Sequence, residues 1–246
     1  HIKFSTREPR LLRPAAALCE NRIPDAEARL RQHLRQFPTD VAAIRMFAEV
    51  AARLGRLAEA EDLLARCLEL APGFTAARQN YALVLHRQQK TTQALAEIER
   101  LLAADPRNPG SRNLKAAALT RIGEYEQSLA LYAEVLAEYP KQAKMWMSYG
   151  HALKTAGHQA RSIEAYRRTI ELSPGFGEAW WSLANLKTFR FTADEIAGMQ
   201  QQLARGDLSG EDRYHFHFAL GKALEDARDF EASFRHYAEG NRLRRA

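Results

Sequence analysis

The sequence is poor in cysteine and has no long apolar run. Two cysteines, Cys19 and Cys67, in 246 residues make no disulfide framework and fit a reducing compartment, so a cytoplasmic location is expected. No apolar stretch approaches the ~18 residues of a membrane-spanning helix. The first residues lack the basic-then-apolar layout of a signal peptide, and residues 1–6 read as a tag or disordered tail. Glycine is sparse, at 13 residues, and nowhere forms a phosphate-gripping loop between a strand and a helix. GDLSG, residues 206–210, lies between two helical segments and lacks a following Lys-Ser/Thr.

Convergent metal ligands are also missing. His215 and His217 stand two apart, which on a helix sends them to different faces. His151 and His158 straddle a turn, so the histidines read as scattered over the surface and no metal is expected. Cys67 reads as a core thiol rather than a nucleophile. No Ser/His/Asp or Cys/His grouping follows the logic of an activated nucleophile. The expectation is a chain with no catalytic residue and no cofactor of its own. Its net charge of +6 admits an acidic partner without naming one.

What the sequence does have is a period. Prolines stand at Pro38, Pro72, Pro106, Pro140 and Pro174, each 34 residues after the last. Repeats then start at Arg7, Val41, Thr75, Pro109 and Ala143, with a sixth from Gly177. The eighth place holds a small residue: Ala48, Ala82, Ala116, Gly150 and Ala184. So does the twentieth: Ala26, Ala60, Ala94, Ser128 and Ser162. The twenty-fourth is large: Leu30, Leu64, Ile98, Tyr132 and Tyr166. These places recur at helical spacing within two segments of about a dozen residues. Gly55, Gly123 and Gly157 fall between the segments, where one helix must end and the chain turn. Small residues let two antiparallel helices approach, and the large residue fills the gap between neighbouring pairs. The proline closes the second helix. One such pair cannot bury its apolar face alone, but a stack can.

MWMSYGHALKTAGHQARSIEAYRRTIELSPG, residues 145–175, resembles a tetratricopeptide repeat (TPR). Trp146, Tyr149-Gly150, Leu153, Gly157, Tyr166 and Pro174 stand at that family's places. Repeats two to five match well. Repeat one matches only in its second helix, because Pro14 occupies a small-residue place and shortens or displaces the first. The resemblance implies an all-α fold, a right-handed α-α superhelix (TPR solenoid) of about six to seven helix pairs.

Repeat six opens with GEAWWSLANLK, residues 177–187, and then the period breaks. Residues 188–213 read as a divergent helix, entered through a capping box at Thr192–Glu195, and an exposed loop, GDLSGEDR. Leu220-Gly221, Leu224, Ser233 and Tyr237 restore the pattern in a seventh unit over 214–246. Residues 216–246 resemble the segment that links TPRs to the catalytic domain in bacterial TPR-containing sulfotransferases. That likeness implies a PAPS-dependent domain beyond Ala246, packed on the last helix pair. The catalytic motif itself is not in this sequence, so no catalytic residue is carried over.

In the family, the first helices line the concave face. Carried over place by place, repeats two and three supply Arg45, Arg53, Asn80, His86 and Arg87, and repeat four supplies Arg121. Repeat five supplies Lys144, His151 and Lys154, and repeat six Trp181 and Asn185. Arg53, Arg87 and Arg121 recur every 34 residues. They would form a basic ladder for an extended acidic peptide, or else complement helix C-termini. Trp146 and Trp180 read as packing residues, and Trp181 as facing a ligand. Inner aromatics are too sparse for single-strand stacking, which speaks against nucleic acid. The leading expectation is a binding module that serves a sulfotransferase. The alternative is a stand-alone adaptor or assembly chaperone.

Overall fold

The computed structural model describes residues 9–186 and 188–245. The expected tag or tail, residues 1–6, lies outside the described residues. All regular structure among the described residues is helical. The chain divides into two compact units, residues 1–123 and 124–246.

The first unit opens with a single 3-10 turn, Pro9–Leu11, that runs into α1 (Leu12–Cys19). Pro14 is tolerated because it sits in the first turn of α1, where its missing amide has no partner to lose. Antiparallel pairs follow. They are α1 with α2 (Ile23–Gln36), α3 (Val41–Arg53) with α4 (Leu57–Leu70), and α5 (Thr75–Arg87) with α6 (Thr91–Ala104). The unit ends with α7 (Pro109–Arg121). The second unit holds α8 (Tyr125–Glu138), the pair α9 (Ala143–Thr155) and α10 (Gln159–Leu172), and α11 (Gly177–Ala184). It continues with α12 (Ala193–Leu203) and ends on α13 (Gly210–Asp226) packed with α14 (Phe230–Arg245).

The punctuation is physical. Helices α2, α4, α6, α8 and α10 each stop two residues before a proline of the 34-residue series, which cannot donate into a continuing helix. Between the two segments of each of the first five repeats the chain needs one left-handed residue. Asn21, Gly55, Gln89, Gly123 and Gly157 occupy that place with φ of 57°, 76°, 63°, 89° and 84°. Glycine takes this conformation without a Cβ penalty, whereas Gln89 takes it at a cost of about 1 kcal/mol. The fourth place of several repeats ties its helix to the proline turn before it. Arg78 Nη2 donates to Pro72 O at 2.7 Å, Trp146 Nε1 to Pro140 O at 2.9 Å, and Trp180 Nε1 to Pro174 O at 3.0 Å.

The eighth and twenty-fourth places meet. Ala48 and Leu64 share one buried cluster, and Ala82 and Ile98 another. Where the twenty-fourth place is tyrosine in the second unit's α9/α10 and α13/α14 pairs, the eighth is glycine. A Cβ on Gly150 would lie 2.5 Å from the Tyr166 ring, and one on Gly221 would lie 2.8 Å from the Tyr237 ring. Tyr166 also reaches the next repeat, sharing a cluster with Ala179 and Leu183. The fully buried ring therefore fills its own pair and the gap to the neighbouring one.

Two expectations are corrected around the break in the period. The first helix of repeat six ends at Ala184, capped at Asn185, rather than running to residue 187. The expected loop over residues 206–213 is shorter: α13 begins at Gly210, and Ser209 caps it by accepting from the Asp212 amide at 3.0 Å. Asp212 in turn accepts from Gly177 N at 2.9 Å and so pins the start of α11 to the start of α13. The Thr192–Glu195 capping box at the head of α12 is present in both directions. Among the described residues, no helix is long and apolar enough to cross a membrane.

Candidate functional site

In the first unit, the third and fifth helices line a cavity of about 300 Å³. Ala48, Leu64 and Val84 lie buried beneath it beside Ala52, and Glu49, Arg53, Asn80, Leu83 and Arg87 add polar groups and one exposed leucine. The sequence-derived Arg53, Asn80 and Arg87 are thus brought together. The floor exists because the eighth place is alanine and the twenty-fourth is leucine.

The arginine ladder has a structural role. Arg53 Nη1 donates to Leu18 O at 2.9 Å, and Arg87 Nη1 donates to Ala52 O at 3.0 Å. Each carbonyl is in the last turn of the first helix of the preceding repeat, so each cation caps a negative dipole end one repeat back. Arg53 spends a second nitrogen on Glu49. For Arg87, the Ala52 carbonyl is the one hydrogen-bond partner among the described residues. Arg121 is exposed. Arg45 departs from the open groove expected of it: it is only 9% exposed and pairs with Glu49 at 3.8 Å. His86 is half-buried, its Nδ1 has no hydrogen-bond partner, and burial followed by the nearby Arg121 lowers its pKa.

In the second unit, α9, α11 and α13 line a cavity of about 820 Å³. Lys144 and His151 face it, beside Met147, Phe176, Glu178, Glu211, Asp212 and His215. Lys154 and Asn185 are exposed and do not line it, nor does Trp181, which packs on Phe218 with ring centroids 5.6 Å apart. His151 is doubly held: its Nδ1 lies 3.0 Å from Tyr166 Oη, and its Nε2 lies 3.4 Å from Glu178 Oε1. Burial holds Tyr166 well above the usual phenol range, so its hydroxyl stays protonated. The hydrogen bond from His151 keeps Glu178 below the usual carboxylate pKa.

The expectation of scattered surface histidines is corrected. His217 on α13 and His236 on α14 face each other with Nδ1 atoms 3.1 Å apart, and both are half-buried. Contacts between helices join residues 19 apart in the chain, which a search along one helix does not see. Cys67 is buried, its Sγ is 3.3 Å from Val41 O, and burial raises its pKa. Among the described residues, no group of three or more His, Cys, Asp or Glu side chains could hold a metal ion.

Helix pairs repeating at 34 residues, with a cavity in each unit, define a helical-repeat protein. A model described as tetratricopeptide repeat matches residues 17–78, 51–118 and 85–154, and a second of the same description matches 143–176. These matches span more than half of the sequence, and the chain belongs to the tetratricopeptide repeat family. No curated protein matches. Among solved structures, a TPR protein from Parabacteroides merdae is similar at 14% identity and a TM-score of 0.63, over 95% of this chain and 91% of that one. YrrB, described as a TPR protein with an unusual peptide-binding site, is similar at 16% identity and 0.53, over 72% of this chain and 92% of its own. The human IFIT1 dimer with PPP-AAAA is similar at 18% identity and 0.71, over 97% of this chain and 60% of its own. At these identities the likeness is one of fold.

Burial lowers the pKa of His215, His217 and His236, and in His217 the facing His236 adds to it. Protonating them costs more in the folded chain than in the unfolded one. Their contribution to stability is therefore full above the ordinary histidine pKa of about 6.5 and is lost as pH falls through it toward the lower folded values. The second unit should melt at a lower temperature at mildly acidic pH than at neutral pH, and His217→Gln should narrow that gap. A melting temperature that does not change with pH, or an equal gap in the variant, contradicts this.

Proposed function

We propose that the chain is a peptide-binding TPR scaffold and that the first unit's cavity takes an extended acidic peptide. One observation carries the reading. A small apolar pocket, floored by Ala48, Ala52, Leu64 and Val84, lies beside Arg87, whose guanidinium spends one nitrogen on the Ala52 carbonyl. The remaining N–H groups can meet a carboxylate while a neighbouring apolar side chain enters beside Leu83, which is 46% exposed. YrrB, similar in fold, is described as having a peptide-binding site of its own. Anisotropy with a labelled peptide alternating leucine and glutamate tests the reading. Arg87→Ala should weaken binding by about tenfold, the worth of one charge-assisted hydrogen bond. An unchanged affinity with intact helical content returns Arg87 to helix capping alone.

The finer reading is that this is the substrate-handling region of a cytoplasmic, PAPS-dependent sulfotransferase. Its support is the resemblance of residues 216–246 to such a junction. A second support is the pair Phe230 and Phe234, one turn apart on α14 and 65% and 73% exposed, which offer a face for an adjoining domain. Calorimetry of the gene product extended past Ala246 with adenosine 3′,5′-bisphosphate should show binding that this chain alone lacks. No binding by the longer protein contradicts it.

A further inference from the structure

The second unit's cavity has the opposite chemistry from the first. One lysine, Lys144, faces three carboxylates, Glu178, Glu211 and Asp212, in a chain whose net charge is +6. Two of those carboxylates serve the fold. Asp212 accepts from Gly177 N and Ser209 Oγ, and Glu211 accepts from the Tyr214 hydroxyl at 3.3 Å. Glu178 is different. Among the described residues its one hydrogen-bond partner is His151, on a single oxygen. His151 is fixed from behind by the hydroxyl of the fully buried Tyr166.

This arrangement leaves an ionised, pre-oriented carboxylate at the wall of a cavity of about 820 Å³ that also presents the apolar surface of Phe176, with Met147 buried beneath. A carboxylate with one oxygen held and the other open fits an ammonium or guanidinium donor. The Phe176 ring fits the methylene stem that carries such a head. We infer that this cavity binds the cationic side chain, arginine or lysine, of an extended basic peptide. Glu178 receives the head group, Phe176 flanks the stem, and His151 is a positioning residue that holds Glu178. Because the whole chain is positively charged, diffuse electrostatics oppose such a peptide, so saturable binding reports a local site.

The inference rests on the TPR scaffold reading but concerns a different cavity from the acidic-peptide site. The test is anisotropy with a labelled peptide alternating alanine and arginine. The expected result is saturable binding that Glu178→Gln weakens by about tenfold, with helical content kept. Glu231→Gln, at an exposed position on α14 that is 85% accessible, should change nothing. His151→Gln should weaken binding less than Glu178→Gln, since it removes an orienting contact and leaves the charge. Absence of saturable binding, or equal affinity in the Glu178→Gln protein, overturns the inference. The leucine–glutamate peptide is run alongside. If it binds while the arginine peptide does not, only this inference falls. If neither binds, the acidic-peptide reading falls with it.

Discussion

In α3/α4, α5/α6, α9/α10 and α13/α14 the spacing of the helix pair rests on one contact, between the residue at the eighth place and the residue at the twenty-fourth. In the first unit, alanine meets leucine or isoleucine, at Ala48 with Leu64 and Ala82 with Ile98. In the α9/α10 and α13/α14 pairs, glycine meets tyrosine, at Gly150 with Tyr166 and Gly221 with Tyr237. A larger partner on one helix is matched by a smaller one on the other, so the axes stay close and the interior stays full. The proline stops and left-handed turn residues set where helices end, but this contact sets how near they lie.

The cavities follow from that spacing. In the first unit, Ala48 and Leu64 are themselves part of the pocket floor. In the second, Tyr166 stands behind His151, and through it orients Glu178. The same residues that pack the repeats therefore shape what the repeats can hold. Arg53 and Arg87 serve the stack directly: each ties its repeat to the one before by capping a carbonyl. Removing such a cation acts on stacking, which is why helical content has to be read beside affinity.

Most of the repeat fold was legible because its requirements are local and recur. A proline two residues past five of the second helices, a glycine where φ must be positive, and a small residue at a close approach all leave a mark in one dimension. Two further marks lie in the sequence. Ser209-x-x-Asp212 is a helix-entry signal that puts the start of α13 inside the expected loop. Asn21 and Gln89 hold the turn place that glycine holds elsewhere. The site was legible only by place. Arg53, Asn80 and Arg87 do meet, as do Lys144 and His151. Arg45 is turned into the interior, while Lys154, Trp181 and Asn185 do not line the second cavity. The pairs His151–Glu178 and His217–His236 bridge separate helices at separations of 27 and 19 residues. No period within one helix could reveal them.

The central claim is that the contact between the eighth and twenty-fourth places sets the spacing of the pairs and the shape of the cavities, and Gly150 against Tyr166 is its tightest case. Urea unfolding of Gly150→Ala, Tyr166→Leu and the double variant tests it directly. The added methyl has no room against the ring, so Gly150→Ala should lose about 1–3 kcal/mol of stability. The double variant should be more stable than the sum of the two single losses requires, because leucine leaves the space the methyl needs. A Gly150→Ala protein as stable as the parent, or losses that add without coupling, would contradict the account.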